Sequence, residues 1–162
     1  MTYKEYLNTP STDNTDYTIS KDILRTFPEL KVHKEDIKEG ENSLFNVLRS
    51  YAIYDPEVKY CQGMNFIVFL FLQNLDSNEE RAFWLLVGMM KHLKWRKLYK
   101  LDTPKLMKLL ERLKKKMKKE VEDIYDHLIN QELPIEGIFA PYFLTLFLYS
   151  TPVNIAEKII DC

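Results

Sequence analysis

Tyr60-Cys61-Gln62-Gly63-Met64-Asn65-Phe66-Ile67-Val68-Phe69-Leu70-Phe71-Leu72 passes in one step from a polar box into the longest unbroken apolar run of the chain, Phe66 to Leu72. Met64 to Leu75 is apolar nearly all round, and its twelve residues are long for a strand, so the stretch predicts a central buried helix. An apolar run of seven residues falls far short of the roughly 20 a membrane span needs. A helix buried on every side requires neighbours on every side, and the flanking sequence supplies candidates in both directions.

Upstream, Asp55 to Gly63 reads as a loop opened by Asp55-Pro56. Before it, Leu44, Phe45, Val47, Leu48, Tyr51 and Ala52 recur at helical spacing from an Asn42 N-cap. Ile19 to Arg25 gives one or two helical turns, stopped at Thr26-Phe27-Pro28 because the residue before a proline is pushed out of the helical region. Residues 1–18 are polar and turn-rich and read as an arm or loop.

Downstream, Ser77-Asn78-Glu79-Glu80 is a capping-box pattern opening a helix through Phe83, Trp84, Val87 and Met90 to near His92. Trp84 and Phe66 to Leu72 read as core. Thr103-Pro104 starts a helix, and the apolar spacing of Leu106, Leu110, Leu113, Met117, Val121, Ile124 and Leu128 extends it to roughly 26 residues and about 39 Å. Leu133-Pro134 and Gly137 mark a turn, Pro141 to Tyr149 a further helix, and Asn154 to Asp161 a last one. No alternating run argues a sheet, so the fold class is all-α, an irregular multi-helix bundle.

The 162 residues carry a formal net charge of -1, which is a cancellation: Lys91 to Lys119 holds thirteen Lys or Arg against Asp102 and Glu111, a local +11. The remainder therefore sums to -12. With only four glycines, none closer than 23 positions to the next, neither a Walker loop nor a G-x-G-x-x-G turn exists to bring backbone N–H groups onto a phosphate. Two distant cysteines, no N-x-Ser/Thr sequon and no charged-then-apolar leader favour a reduced, cytoplasmic setting. His33, His92 and His127 lie far apart, with no H-E-x-x-H and no C-x-x-C; Glu122, Asp123, Asp126 and His127 crowd enough to ligate a metal but read first as partners for the lysines one turn upstream.

Two short segments carry chemistry. Ile19-Ser20-Lys21-Asp22-Ile23-Leu24-Arg25 has the form I-x-x-D-x-x-R and runs into Thr26-Phe27-Pro28; Tyr60-Cys61-Gln62-Gly63-Met64-Asn65 is a Y-x-Q-G-M-N box. Arg25 is a permanently charged planar fork at a helix end, with Asp22 three positions earlier to orient it. The Gln62 amide both donates and accepts, as holding a water against an electrophile requires, and Gly63 leaves room for close approach. Taken singly, Arg25 reads first as a helix C-terminal arginine satisfying carbonyls and the dipole, and Gln62 as a loop amide. Together, with no acidic base, they fit phosphoryl transfer to water, where positioning and charge neutralisation dominate. The missing phosphate loop places the nucleotide and Mg²⁺ on another protein.

In this order and about 37 residues apart, the two boxes resemble the TBC domain, a family of GTPase-activating proteins for Rab GTPases. The resemblance implies that Arg25 and Gln62 form a dual finger entering the Rab active site, with Ile19, Asp22, Tyr60 and Gly63 in support. It implies a Rab-type GTPase in its GTP form as partner, GTP and Mg²⁺ carried by that partner, and no cofactor or metal of the chain's own. The chain is then a GTPase activator in vesicle trafficking rather than an enzyme with its own substrate pocket, cytoplasmic at endomembranes. Peripheral membrane association runs through the partner or, weakly, through the Lys91 to Lys119 block. The alternative is a non-catalytic helical scaffold or adaptor; nucleic-acid binding is disfavoured because the basic block has few interleaved aromatics.

The likeness extends from Ile19 through Asp126-His127-Leu128, Ile138 to Phe147 and Ala156 to Asp161, with residues 19–100 as the finger-bearing part and 101–162 as later helices. Tyr142 and Ile160 stand where the family commonly has tryptophan. The family's opening R-x-x-x-W is missing, and the expected chain is a piece holding the finger-bearing N-terminal subdomain and part of the next.

Overall fold

The computed structural model describes residues 1–11, 13–26, 43–100, 103–151, 155 and 158. Among these the elements are all helical: α1 (Tyr3–Asn8), α2 (Thr15–Thr26), α3 (Ser43–Tyr54), α4 (Met64–Asn74), α5 (Glu79–His92), α6 (Arg96–Tyr99), α7 (Pro104–Glu120), α8 (Glu122–Asn130) and α9 (Ile135–Leu144). They fall into two compact units, Met1–Arg96 and Lys97–Cys162.

In the first unit α3 is the hub, packed against α1, α2, α4 and α5. Its sequence allows this because Leu44, Val47, Leu48, Tyr51 and Ala52 are joined in the interior by small or amide side chains, Ser50 and Asn46. The expected helix is present as α4, with Met64, Ile67, Val68, Leu70 and Leu72 buried, but Phe66, Phe69 and Phe71 are only half-buried, so it is not closed in on every side. Asn42 lies outside the described residues, as do Phe27 and Pro28.

Residues 1–11 and 13–18, expected as an arm or loop, include a docked helix. Thr2 and Glu5 form a reciprocal capping box that starts α1, and the Tyr3 ring packs 5.3 Å from Phe83 while its hydroxyl donates to Glu79 at 2.6 Å. Arg49 on α3 donates to the carbonyls of Leu7 and Thr9 and pairs with Asp16 at 3.2 Å. A single turn and a half of helix gives almost no periodicity to read, and docking by aromatics and an arginine holds it in place. Residues from Thr15 onward already belong to α2, whose start precedes the expected Ile19.

Three other expectations shift. Trp84 is 42% exposed; its neighbour Phe83 is the fully buried aromatic of α5. The N-cap of α5 is Asn78, whose side chain accepts from the Arg81 N–H at 3.0 Å, so Ser77 and Glu80 form no box. Thr103 is left-handed (φ 38°) and makes no side-chain cap.

In the second unit, α7 packs against α8 and α9. The single 26-residue helix divides at Val121, with φ -142° and ψ 56°. The reason lies in the charges: Lys118 and Lys119 favour a helix C-terminus, whereas Glu122 and Asp123 favour an N-terminus. Both preferences are met only if one helix ends and another begins between them. The next helix begins at Ile135, just after Pro134, and contains both Gly137 and Pro141, so the expected turn at Gly137 is helical and the helix expected over Pro141 to Tyr149 ends at Leu144. Of Asn154 to Asp161, only Ile155 and Lys158 are among the described residues.

Candidate functional site: an arginine and a tyrosine joined through one carboxylate

On α2, Ile19 and Ile23 are sealed in the core and Asp22 is buried beside them, while Arg25 in the last turn is 51% exposed. The spacing dictates this: positions 19, 22 and 23 share the face turned to the interior, and 25 rotates out of it. Asp22 Oδ1 binds the Arg25 guanidinium at 2.5 Å. Its other oxygen, Oδ2, accepts from the Tyr60 hydroxyl at 2.8 Å. One carboxylate thus joins the I-x-x-D-x-x-R box to the Y-x-Q box across 38 positions of sequence.

Beyond Tyr60 the chain turns through Cys61-Gln62-Gly63-Met64, closed by the Met64 N–H donating to the Cys61 carbonyl at 3.1 Å. Gly63 has φ 103° and ψ -22° and precedes the first residue of α4. A positive φ at the third turn residue is the type II requirement, met by glycine without steric penalty. Gln62 occupies the preceding corner, is exposed, and makes no hydrogen bond among the described residues. The supporting role of Gly63 is therefore to set this turn.

The protonation states follow from burial. Burial, reinforced by the hydrogen bond and charge of Asp22, pushes the Tyr60 hydroxyl far above its ordinary value, so it remains a donor. Burial and then the Asp22 charge likewise push the Cys61 thiol up, which removes it as a nucleophile near neutral pH. What remains accessible is a guanidinium oriented by a carboxylate and a neutral amide on a tight turn. That pair can neutralise developing charge and hold a water, and it contains no general base.

The loop before Tyr60 is held by groups the sequence did not single out. Asp55, 6% exposed, receives both Arg96 Nε at 2.6 Å and Nη2 at 2.7 Å. Lys59 pairs with Asp13 at 2.6 Å, and the hydrogen bond from Lys59 lowers the Asp13 carboxyl to about 2. Asp55-Pro56 carried only a helix-stop signal, and Arg96 lay hidden inside the basic block. Nothing in sequence spacing links residues 41 positions apart; the usable signal was an acid placed directly after an apolar helix. Among the described residues no three His, Cys, Asp or Glu come together as a metal site.

The Rab-GTPase-TBC domain family model matches residues 1–162. The chain belongs to that family. It is 38% identical to the Rab GTPase-activating protein eat-17 of Caenorhabditis elegans over 99% of this chain and 18% of that protein. It is 35% identical to the GTPase-activating protein GYP5 of Saccharomyces cerevisiae over 89% of this chain and 15% of that protein. The chain therefore spans less than a fifth of the length of these curated relatives. The crystal structure of the Chlamydomonas flagellar RabGAP TBC domain superposes with a TM-score of 0.77 at 24% identity, over 96% of this chain and 50% of that one. The shared fold is the all-α TBC architecture.

Proposed function

We propose that this TBC chain accelerates GTP hydrolysis by a Rab-type GTPase in its GTP form. Arg25 neutralises charge developing on the transferred phosphoryl group, and Gln62 places the attacking water. GTP and Mg²⁺ are the partner's. The observation that carries this reading is the Asp22 carboxylate, which orients an exposed arginine and simultaneously anchors the segment presenting an exposed glutamine. The names of the relatives, Rab GTPase-activating protein among them, support the same partner class.

Peripheral association with endomembranes belongs to this reading, through the partner and through the lysines of α7. Lys108, Arg112, Lys115, Lys116, Lys118 and Lys119 are all exposed. The acids expected to balance them do not: among the described residues the ion pairs of α7 are Lys114 with Glu111, Lys114 with Glu136, and Lys119 with Glu120. A cationic face left with so few acids is attracted to an anionic leaflet.

Single-turnover hydrolysis by a panel of GTP-loaded Rabs tests the proposal. An arginine supplied in trans is worth about 10³ to 10⁵ in rate, so Arg25→Ala is expected to abolish stimulation while the chain still binds the GTPase and keeps its helical circular dichroism. Full stimulation by that variant overturns the assignment. Binding by the wild-type chain without any acceleration replaces it with the adaptor reading.

A further inference from the structure

Gln62 is the last residue but one of a nine-residue loop, Asp55 to Gly63, and an exposed side chain on a loop is placed only as well as the loop is held. The first residue of that loop is its most thoroughly bound. Asp55 Oδ1 accepts from Arg96 Nη2 at 2.7 Å and from the Val58 N–H at 3.3 Å; Oδ2 accepts from Arg96 Nε at 2.6 Å and from the Tyr51 hydroxyl at 3.2 Å. Its backbone carbonyl takes the Lys59 N–H at 2.7 Å. Side chain and main chain of one residue therefore fold the loop back as far as Lys59, which is left-handed at φ 56°. Tyr60 then meets Asp22, and Gln62 follows two residues later.

Arg96 supplies the only charge compensation given directly to this buried carboxylate among the described residues. Its Nη2 also reaches Glu57, further along the loop, at 3.1 Å. The fork is what fits. A bidentate guanidinium fixes the plane of the carboxylate as well as its charge, which a lysine ammonium cannot do. Without Arg96 the buried Asp55 either takes a proton or swings toward water, and each breaks the turn that starts the loop.

We propose that Arg96 is a positioning residue for Gln62, acting through Asp55 as a clamp on the base of the glutamine loop. It rests on the finger reading of Gln62. The second tether, Asp13 to Lys59, has both side chains substantially exposed and holds less, because water competes for such a pair. One arginine of the +11 block is thereby withdrawn from the surface field and given a structural partner in the catalytic segment.

The test combines activity with hydrogen exchange on the 162-residue chain. Arg96→Met is expected to slow single-turnover hydrolysis at saturating chain at least tenfold, with the half-saturating concentration within twofold of wild type, and Arg96→Lys to fall between. In a Gln62→Ala background Arg96→Met should cost nothing further, because the clamp has no finger left to place. A merely destabilising substitution would add its loss in that background too, and additivity overturns the proposal. Independently of any partner, amide exchange in residues 57–62 should accelerate in Arg96→Met while α3 and α4 stay protected; unchanged exchange in the loop also overturns it. If Gln62→Ala stimulates fully, the finger reading and the clamp fall together. If Gln62→Ala is impaired and Arg96→Met is fully active, only the clamp falls.

Discussion

Around the two boxes, cations and acids meet in pairs: Arg25 with Asp22 at 2.5 Å, Lys59 with Asp13 at 2.6 Å, Arg96 with Asp55 at 2.6 Å. On α7 six cations stand exposed against two exposed acids of the same helix, Glu111 and Glu120. The residue types are the same and the arrangement is opposite. Where the partner is buried, as Asp22 and Asp55 are, the bound charge has one preferred position and can place a neighbouring group, whereas the exposed Lys59–Asp13 pair holds less. A charge left in water has no fixed position, and several of one sign on one helix make a field that reaches about 8 Å at physiological salt. Composition treats the two regions alike; geometry separates a region that positions from one that attracts.

The sharpest way to break that contrast is to remove the carboxylate that Arg25 and Tyr60 share. Asp22→Ala frees Arg25 to sample solvent rotamers and leaves the buried Tyr60 hydroxyl without its acceptor. Stimulated GTP hydrolysis is expected to fall roughly 100-fold, the loss associated with small misplacement of a catalytic group. Stability should fall by about 2 kcal/mol: the unpaired hydroxyl accounts for about 1–3 kcal/mol, and the half-exposed guanidinium adds little because water solvates it. Urea unfolding followed alongside the kinetics separates the two effects. Activity that survives unchanged would mean that the paired region positions nothing.

The converse change belongs on α7. Lys108, Lys115 and Lys119 share one exposed stripe, and replacing all three by Gln should weaken binding to phosphatidylserine-containing vesicles about 100-fold at 0.1 M salt, at about 1 kcal/mol per lysine. Folding stability should move by less than about 0.5 kcal/mol, since relief of the i,i+4 repulsion between Lys115 and Lys119 offsets loss of the exposed Lys119–Glu120 pair. Vesicle affinity that does not change with the substitution, or does not fall with added salt, would leave α7 as an ordinary solvated face.

How far the sequence carried the reader differs between the same two regions. The periodicity of Leu44 to Ala52 predicted α3 because burial of one helix face leaves a repeat of 3.6 residues, and the apolar run from Met64 predicted α4 because it is apolar all round and too long for a strand; both are local signals. The two boxes were legible as motifs, and their residues Asp22, Arg25 and Tyr60 do come together. The division of the long basic helix at Val121 was also written in the sequence, as a switch from Lys118-Lys119 to Glu122-Asp123, but apolar spacing ran through it without a break and outweighed it. Tyr3 docking on Phe83 was not legible, and of Arg96 closing on Asp55 only the acid directly after an apolar helix showed, never its partner. Each depends on a contact between residues that no local pattern relates.

The smallest change that still bears on the comparison is Tyr60→Phe. It keeps the ring and its packing and deletes one hydroxyl, so Asp22 retains Arg25 but loses its link to the glutamine segment. A hydrogen bond to a charged group contributes about 1.5–3 kcal/mol. Part of this is recovered, because without the hydroxyl no buried donor is left unpaired and Oδ2 can turn more fully to Arg25. A net loss of about 1 kcal/mol in stability is expected, with a fall of five- to tenfold in stimulated hydrolysis. The direction of the pH response is informative as well. In the wild type the Tyr60 proton is held far above neutrality by burial and by Asp22, so the link is intact throughout the neutral range and activity should show no tyrosine titration between pH 6 and 9. If Tyr60→Phe loses stability but no activity, Asp22 serves the fold and orients Arg25 alone. If it loses activity beyond its stability cost, the single carboxylate couples the two fingers, and pairing in this region is what makes two separate motifs act as one site.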